Sequence, residues 1–527
     1  MANLLVLCGT MVAFIGALAF RRYSRARARA GPRLPPGPWK LPIVGNLTHL
    51  PPKGTPQFQH WLTHKEKYGP ISSVSIMGTT LIIFHDKEAA HEILEKKSGK
   101  TSARPSMEFA HNLCGFKEFL MGQQYDESFR QRRKIIHHQL GSQARVAEFN
   151  DIQDVEVRRF LLRLMDEPEN LFKHLKTEAG AIILKLIYGY TIEPHRPDPL
   201  IRLIEGTIAN FIAAGVPMSW MVDYVPALGR LPDWFPGTGF KETARRWKKA
   251  NEAVADIPFS FVKEQMAKGA YQPSYVSRIL QESSNDYSEY AIKWTAATLY
   301  GGGADTQVST LSSFILAMLM FPEVQRKAQQ EIDKVIGTDR LPTFDDRERL
   351  PFVGGVVKEA HRWATVVPMG LPHVSEEDII YKGYLIPKGA YLIPAIWWFC
   401  HDSETYQDPE RFSPERYLEP RNEPDPTSVT FGFGRRTCPG RYFADANIFL
   451  TVAQTLAAFD IRKAVKDGVE LDVKLEVTPG IASHPKEYPY NIVPRSDKHA
   501  ALIRTVDKEH PWGANDACFI EDAGVKA

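Results

Sequence analysis

The sequence predicts a mostly α-helical domain with a small β-rich region, and three patterns carry that expectation. Helical stretches occupy most of the length: around Phe58 to Lys67, through residues 150 to 275, from about Ser288 to Met320, and from Tyr442 to Phe459. The strand signals are few and short. Ile71–Ile76 and Thr79–Phe84 meet at Met77-Gly78, and Tyr381 to Ile393 is broken by a turn at Pro387-Lys388-Gly389. No low-complexity linker or internal repeat divides residues 35 to 500. The 527-residue chain, 43% hydrophobic, therefore reads as one large domain, although its length would accommodate two or three.

The formal net charge is only +3, which gives no general case for nucleic-acid binding. Five cysteines, Cys8, Cys114, Cys400, Cys438 and Cys518, are scattered, with no Cys-x-x-Cys pair and no Cys-x-x-Cys-His haem-attachment site. A disulfide framework is not expected, and the domain is assigned to a reducing compartment.

Residues 4 to 20 carry no charge and are just long enough to span the hydrocarbon core of a bilayer, which takes about 20 helical residues. Arg21, Arg22, Arg25, Arg27 and Arg29 follow at once, which puts the C-terminal side in the cytosol. A cleaved signal peptide is the competing reading, but its positive charge normally precedes the apolar run. A retained anchor is expected. Gly31-Pro32-Arg33-Leu34-Pro35-Pro36-Gly37-Pro38 is a stiff, helix-breaking hinge. The expected divisions are an anchor at 1–21, a basic and proline-rich hinge at 22–38, the main domain at 39–507, and a polar tail at 508–527. Within the helical region, Ala213 to Pro226 and Leu231 to Pro236 are apolar, aromatic and broken by prolines. Such a segment either dips into a membrane interface or packs as a buried loop.

Two stretches carry chemistry. Phe431-Gly432-Phe433-Gly434-Arg435-Arg436-Thr437-Cys438-Pro439-Gly440 sets one cysteine among glycines and arginines ahead of a helix. Neighbouring cations and a helix N-terminus both favour the thiolate, the form that ligates a metal, so Cys438 is expected to ionise easily. The second stretch, Gly301-Gly302-Gly303-Ala304-Asp305-Thr306, lies inside the long helical run. Three glycines there cost on the order of 1 kcal/mol each relative to alanine. A flat ligand pressed against that face, or a loosened turn that leaves room for a small molecule, would justify them.

The cysteine loop resembles that of the cytochrome P-450 enzymes, the haem-thiolate monooxygenases. Their pattern Phe-x-x-Gly-x-Arg-x-Cys-x-Gly is matched by Phe431, Gly434, Arg436, Cys438 and Gly440. Gly302, Gly303, Asp305 and Thr306 resemble the family's oxygen-activation motif, which implies that Thr306 hydrogen-bonds dioxygen and Asp305 relays protons. Gln307 stands where a second hydroxyl often follows. Phe129 to Arg133 resembles a Trp-x-x-x-Arg helix that reaches a haem propionate; Arg133 fits and Phe129 departs from the pattern. His373 matches another propionate position. Glu359 and Arg362, together with Arg411 of Asp408-Pro409-Glu410-Arg411-Phe412, resemble the family's structural lock. By the same resemblance, Phe109, Phe116, Phe119, Val366, Val367, Met369 and Ile481 are candidate substrate-pocket residues, and the proline-rich hinge resembles the segment that orients a microsomal domain on its membrane.

The likeness covers about residues 32 to 500 and implies the cytochrome P-450 fold. It also implies haem b with an axial thiolate from Cys438, and insertion of one oxygen atom from O2 into a lipophilic small molecule. No Gly-x-Gly-x-x-Gly follows a strand, so electrons are expected from a separate NADPH-cytochrome P-450 reductase, with cytochrome b5 as a second candidate donor. The expected location is the endoplasmic reticulum membrane, single-pass, with the catalytic domain cytosolic. The stretch from Trp397 through Tyr417 resembles fungal enzymes of secondary metabolism, which favours a terpenoid or polyketide substrate. Two rival readings are a reductase-independent haem-thiolate isomerase or dehydratase, disfavoured by Asp305-Thr306, and a membrane haem protein that binds a ligand without turnover.

Overall fold

A computed structural model describes residues 32–521 apart from 53, 217 and 283–286. The expected anchor at 4–20 lies outside the described residues. Among those described, no single helix is long and apolar enough to cross a membrane.

Helix α1 (Gln57–Tyr68) stops at Gly69, whose φ of +88° no side-chain-bearing residue adopts readily. Strands β1 (Ile71–Ile76) and β2 (Thr79–Phe84) then form an antiparallel hairpin in which Ile76 faces Thr79. The two residues between them, Met77 and Gly78, both have positive φ, the geometry that matches a two-residue turn to strand twist. Along β2 the side chains alternate between two apolar clusters, Ile82 and Phe84 in one and Ile83 in the other.

The helical body follows: α2 (Glu127–Leu140), α3 (Asn150–Asp166), α4 (Leu171–Tyr188), α5 (Pro199–Ala214) and α6 (Phe240–Ala267). Helix α7 (Glu289–Gly303) opens with Ser288, whose side chain accepts from the Ala291 amide at 3.2 Å. The run expected to continue to Met320 is broken at Ala304-Asp305, and α8 (Thr306–Met320) resumes after the break. The cause is local: the Thr306 hydroxyl donates to the Gly302 carbonyl at 3.0 Å, where glycines leave the helical ladder weakly held.

Helices α9 (Pro322–Val335) and α10 (Pro351–Trp363) lead to β3 (His373–Val374) and β4 (Tyr391–Pro394). The four strands lie in the order β1-β2-β4-β3, with β2 and β4 parallel and the outer pairs antiparallel. Helix α11 (Arg441–Ala458) runs from the cysteine loop into the centre and continues as β5 (Phe459–Arg462), which pairs with β6 (Asn491–Pro494). Helix α12 (Asp497–Glu509) crosses residue 508. Beyond it the chain packs back on the body: Asp516 accepts from the Thr191 amide at 2.7 Å, Arg159 lies 4.0 Å over the Trp512 ring, and Ile520 is buried.

A polar cluster is buried where α4, α8 and α11 meet. Glu178 accepts from the Thr451 hydroxyl at 2.7 Å, and Asn447 donates to Gln307 at 2.7 Å. Burial raises the Glu178 carboxyl from 4.5 to about 7, against the Thr451 hydrogen bond and Arg163, which hold it down. A raised carboxyl stabilises the fold fully below its unfolded value, and that contribution is lost as pH rises through the folded one. About 3 kcal/mol is at stake across pH 4.5 to 7. Glu178→Gln is expected to flatten the decline, so that melting temperatures at pH 5.5 and 8 converge relative to the parent. Parallel curves for the two proteins would contradict the assignment.

Candidate active site

The cysteine loop, α7, α8, α10 and α11 enclose an apolar cavity of about 300 Å³. Cys438 lies in its wall, in a loop closed by the Cys438 amide donating to the Phe431 carbonyl at 2.8 Å. Gly434 has φ +53°, and a Cβ there would fall 2.7 Å from the Leu94 carbonyl oxygen and from Ser98, so only glycine fits. Gly440 is different: a Cβ there would meet nothing within 4 Å, and the backbone is bare where it borders the cavity. Burial pushes the Cys438 thiol up, outweighing the Gly440 amide, Arg133 and Arg441, which hold it down. The expectation of easy ionisation is therefore corrected. A half-buried thiol of this kind in a cavity wall becomes thiolate when a metal takes the place of its proton.

Three guanidinium groups stand in the same wall: Arg104, Arg133 and Arg436. Arg436 donates to the carbonyls of Ser102, Leu120 and Gln123 at 2.7, 3.2 and 2.8 Å. Arg133 donates to the Thr437 carbonyl at 2.8 Å, and Arg104 to those of Leu371 and Pro372, both at 2.7 Å. None forms a salt bridge with a carboxylate among the described residues, and the buried Nε of Arg104 has no partner at all. Burial, with Arg104 and Arg133 adding repulsion, pushes Arg436 down to about 8; burial takes Arg104 to about 10. Charges gathered this way in an apolar wall are costly until an anion joins them. A ligand with two carboxylates answers that need.

His373 also lines the wall, its Nδ1 within 2.8 Å of the Thr101 carbonyl. Burial, then Arg104 and Arg436, lower its pKa well below the ordinary value, so the ring is neutral and Nδ1 is the donor. An anion between those arginines would offset their repulsion and favour a second ring proton, at Nε2. Phe129, which stands where the family pattern has tryptophan, supports the Arg436 guanidinium 3.9 Å over its ring. Arg104 was not anticipated. It sits in an irregular segment before a proline, and no periodicity or spacing marks it.

On the oxygen side, Gly302 and Thr306 line the cavity. A Cβ on Gly302 would meet nothing within 4 Å, whereas one on Gly303 would fall 2.7 Å from Ile183, so the paired glycines have separate causes. Asp305 does not line this cavity. It turns away to His484, Oδ2 to Nε2, at 3.0 Å.

Of the seven residues expected to form the substrate pocket, Val366 and Val367 line the cavity. Phe109 stacks on Trp220 at 3.6 Å, Phe116 lies 5.3 Å from the Phe211 ring, and Phe119 lies 5.3 Å from that of Trp294. These three fill the core between helices, Met369 packs beneath the sheet, and Ile481 packs on Gly215. The walls include Leu120, Met121, Ile183, Leu299 and Phe443, whose apolar spacing does not distinguish them from ordinary core.

The structural lock is present with one member changed. Arg362 makes a two-pronged contact with Glu359, Nε to Oε2 and Nη2 to Oε1, both at 2.8 Å, and reaches the Cys400 carbonyl at 2.7 Å. The third member is Arg416, fully buried, with Nε 3.0 Å from Glu359 Oε1. The Ser413 amide and the Tyr417 hydroxyl complete the carboxylate's shell, each at 2.8 Å. Arg411 is instead 62% exposed and pairs with Glu323 at the surface. Pro-Glu-Arg followed by an aromatic occurs twice within nine residues, at 409–412 and at 414–417, and the buried copy is the second.

A wall that needs a dianion and a thiol that needs a metal are satisfied together by a single prosthetic group, haem held through cysteine. The class so defined is the haem-thiolate enzymes. Comparison with known proteins reaches the same point independently: the family model for cytochrome P450 matches residues 35–492, and the chain belongs to the cytochrome P450 family of monooxygenases. It is 50% identical to the cytochrome P450 monooxygenase CLM2 of Gibberella zeae, with 98% of each chain covered. It is 49% identical to the multifunctional cytochrome P450 monooxygenase af510 of Aspergillus fumigatus, covering 100% of this chain and 99% of that one. It is 41% identical to an O-methylsterigmatocystin oxidoreductase of Aspergillus flavus, over 93% of each.

The cofactor of the family is haem b, and the residues present fit it. Cys438 would ligate the iron, the bare backbone at Gly302 and Gly440 would leave room for the flat ring, and Arg104, Arg133, Arg436 and His373 would hold its carboxylates. When bound, haem supplies the redox chemistry that activates dioxygen, with the thiolate favouring O–O cleavage.

Proposed function

We propose that this enzyme is a membrane-anchored monooxygenase that inserts one oxygen atom from O2 into a lipophilic terpenoid or polyketide intermediate of secondary metabolism, with electrons from a separate NADPH-cytochrome P-450 reductase. The observation that carries the reading is the apolar cavity with Cys438 and Thr306 both in its wall. The chain's own residues then have defined work. Val366, Val367, Leu299 and Phe443 exclude water and bind an apolar substrate, the Thr306 hydroxyl orients dioxygen, and Asp305 helps relay protons. Relatives named for O-methylsterigmatocystin oxidation and for multiple functions support a secondary-metabolite substrate.

Endoplasmic reticulum anchoring rests on the sequence of residues 4–29 and is supported by the surface. Trp39, Ile43 and Trp234 are 76, 91 and 81% exposed, and Met77, Met221 and Phe235 are exposed as well. Exposed tryptophans and other large apolar side chains are suited to a membrane interface. Cytochrome b5 is proposed as a second electron donor on the same membrane.

The test is reconstitution in phospholipid vesicles with the reductase, NADPH, ¹⁸O₂ and a panel of terpenoid and polyketide precursors. Incorporation of one labelled atom into product is expected. Product without NADPH consumption would favour the rearrangement enzyme, and substrate binding with no product would favour the ligand-binding reading. Thr306→Ala is expected to lower product per NADPH by roughly 10- to 100-fold while substrate binding, read from the haem spectrum, is retained. Unchanged coupling would remove Thr306 from the assigned role.

A further inference from the structure

Asp305 and Thr306 are neighbours in sequence, yet they border different cavities. Thr306 faces the haem cavity. Asp305 lies in the wall of a second cavity, of about 870 Å³, bounded by α3, α4, α5 and the segment Thr478–Glu487. Lys176 and Arg196 in that wall are exposed, so the second cavity communicates with solvent. The helix break at Ala304-Asp305 produces this divergence, because the chain turns between the two residues before α8 resumes.

His484 meets Asp305 in that wall, its Nε2 3.0 Å from Oδ2, with each side chain a little over one-fifth exposed. The ring is held in place by its own turn. The Thr478 amide donates to the His484 carbonyl at 2.8 Å, and the His484 amide donates to the Thr478 hydroxyl at 3.1 Å. One residue earlier, Ser483 accepts from the Ser309 hydroxyl at 2.6 Å and donates its amide to the Val366 carbonyl at 2.8 Å. A single turn is therefore tied to α8, to the substrate wall and to Asp305.

We propose that His484 is a positioning residue that delivers protons from the second cavity to Asp305, making that cavity the proton inlet of the enzyme. The inference rests on the monooxygenase reading. In each delivery the neutral ring, with its proton at Nε2, takes a proton at Nδ1 from cavity water and gives the Nε2 proton to Asp305 Oδ2; release of the Nδ1 proton to water and uptake of one at Nε2 resets the ring. Asp305 passes its proton across the helix break towards Thr306 and returns to the carboxylate. No electrons move, and the net change is one proton carried inward from solvent.

The test compares full-length parent, His484→Gln and His484→Ala in the reconstituted system, with two readouts. One is the partition of NADPH electrons between product and hydrogen peroxide in H2O and D2O. The other is amide hydrogen exchange of residues 478–485, which reports the turn independently of turnover. Glutamine keeps a hydrogen-bond donor for Asp305 but carries no proton. His484→Gln is expected to retain exchange protection, lose product per NADPH by at least about tenfold, and show a larger solvent isotope effect than the parent. His484→Ala is expected to lose both coupling and protection. If His484→Gln couples like the parent, or if coupling falls only where protection falls, His484 is a structural tie and the proposal is overturned. If the parent incorporates no oxygen while its turn is protected, the monooxygenase reading itself fails and the relay falls with it.

Discussion

Cys438→Ser is expected to abolish the strongly red-shifted Soret band of the dithionite-reduced protein under carbon monoxide, while the parent shows it in full. The substitution changes one atom, and the loop does not depend on that atom for its shape. The main-chain bond from residue 438 to Phe431, the three carbonyl contacts of Arg436 and the contact of Arg133 with the Thr437 carbonyl all remain. What is lost is the one thiol among the described residues that line the cavity, and with it the electron donation that defines the class. The variant is therefore expected to stay folded and to give an unshifted spectrum. Because burial disfavours the free thiolate, the same logic predicts a protonated Cys438 in protein stripped of haem, which slow reaction with thiol reagents would report. A shifted band surviving in Cys438→Ser would mean that another residue ligates the iron.

The second large effect is expected at Glu359 and Arg416, with Arg411 as the contrast. Glu359, Arg362 and Arg416 are fully buried, and both arginines donate to the Glu359 carboxylate. Removing Glu359 leaves Arg362 buried without its counter-ion, which costs about 3 to 5 kcal/mol, and removing Arg416 takes one of two guanidinium donors from the buried Glu359 carboxylate. The damage reaches the haem site because Arg362 and Arg416 also hold the carbonyls of residues 400, 407 and 411, in the segment that leads to the cysteine loop. Glu359→Ala and Arg416→Ala are expected to lower the ratio of haem to protein absorbance severely and to reduce soluble yield. Arg411→Ala breaks one exposed pair and is expected to cost about 0 to 1 kcal/mol, with normal haem content. Equal haem loss in Arg411→Ala and Arg416→Ala would contradict the division between them.

These two sites also show what was legible in the sequence. The cysteine loop could be read because its determinants are contiguous: the glycines, Arg436 and Cys438 lie within ten residues, and local backbone geometry fixes their arrangement. The helical body and the β1–β2 hairpin were legible for the same reason. The lock was legible as a motif but not in its register, since two near-identical segments compete and only long-range packing against α10 selects Arg416. Arg104 was hidden because its role comes from convergence of segments more than 300 residues apart, with no pattern of its own. Phe109, Phe116 and Phe119 misled because an aromatic facing a ligand and an aromatic facing a helix look identical until the packing is known. The outward turn of Asp305 depended on a helix break that the glycines permit but do not aim.

The three guanidinium groups in the cavity wall have a consequence for how the protein is made. A chain that has folded before receiving its cofactor carries mutually repelling charges at its centre, with only neutral carbonyls to receive them. Because anything that binds only the folded state stabilises it by mass action, the cofactor's two acid groups complete the fold as well as the chemistry. The abundance of this protein should then follow the supply of haem to the cell. A newly synthesised chain that misses it is the kind of faulty product that surveillance proteases remove, so the arginines serve as an inspection step built into assembly.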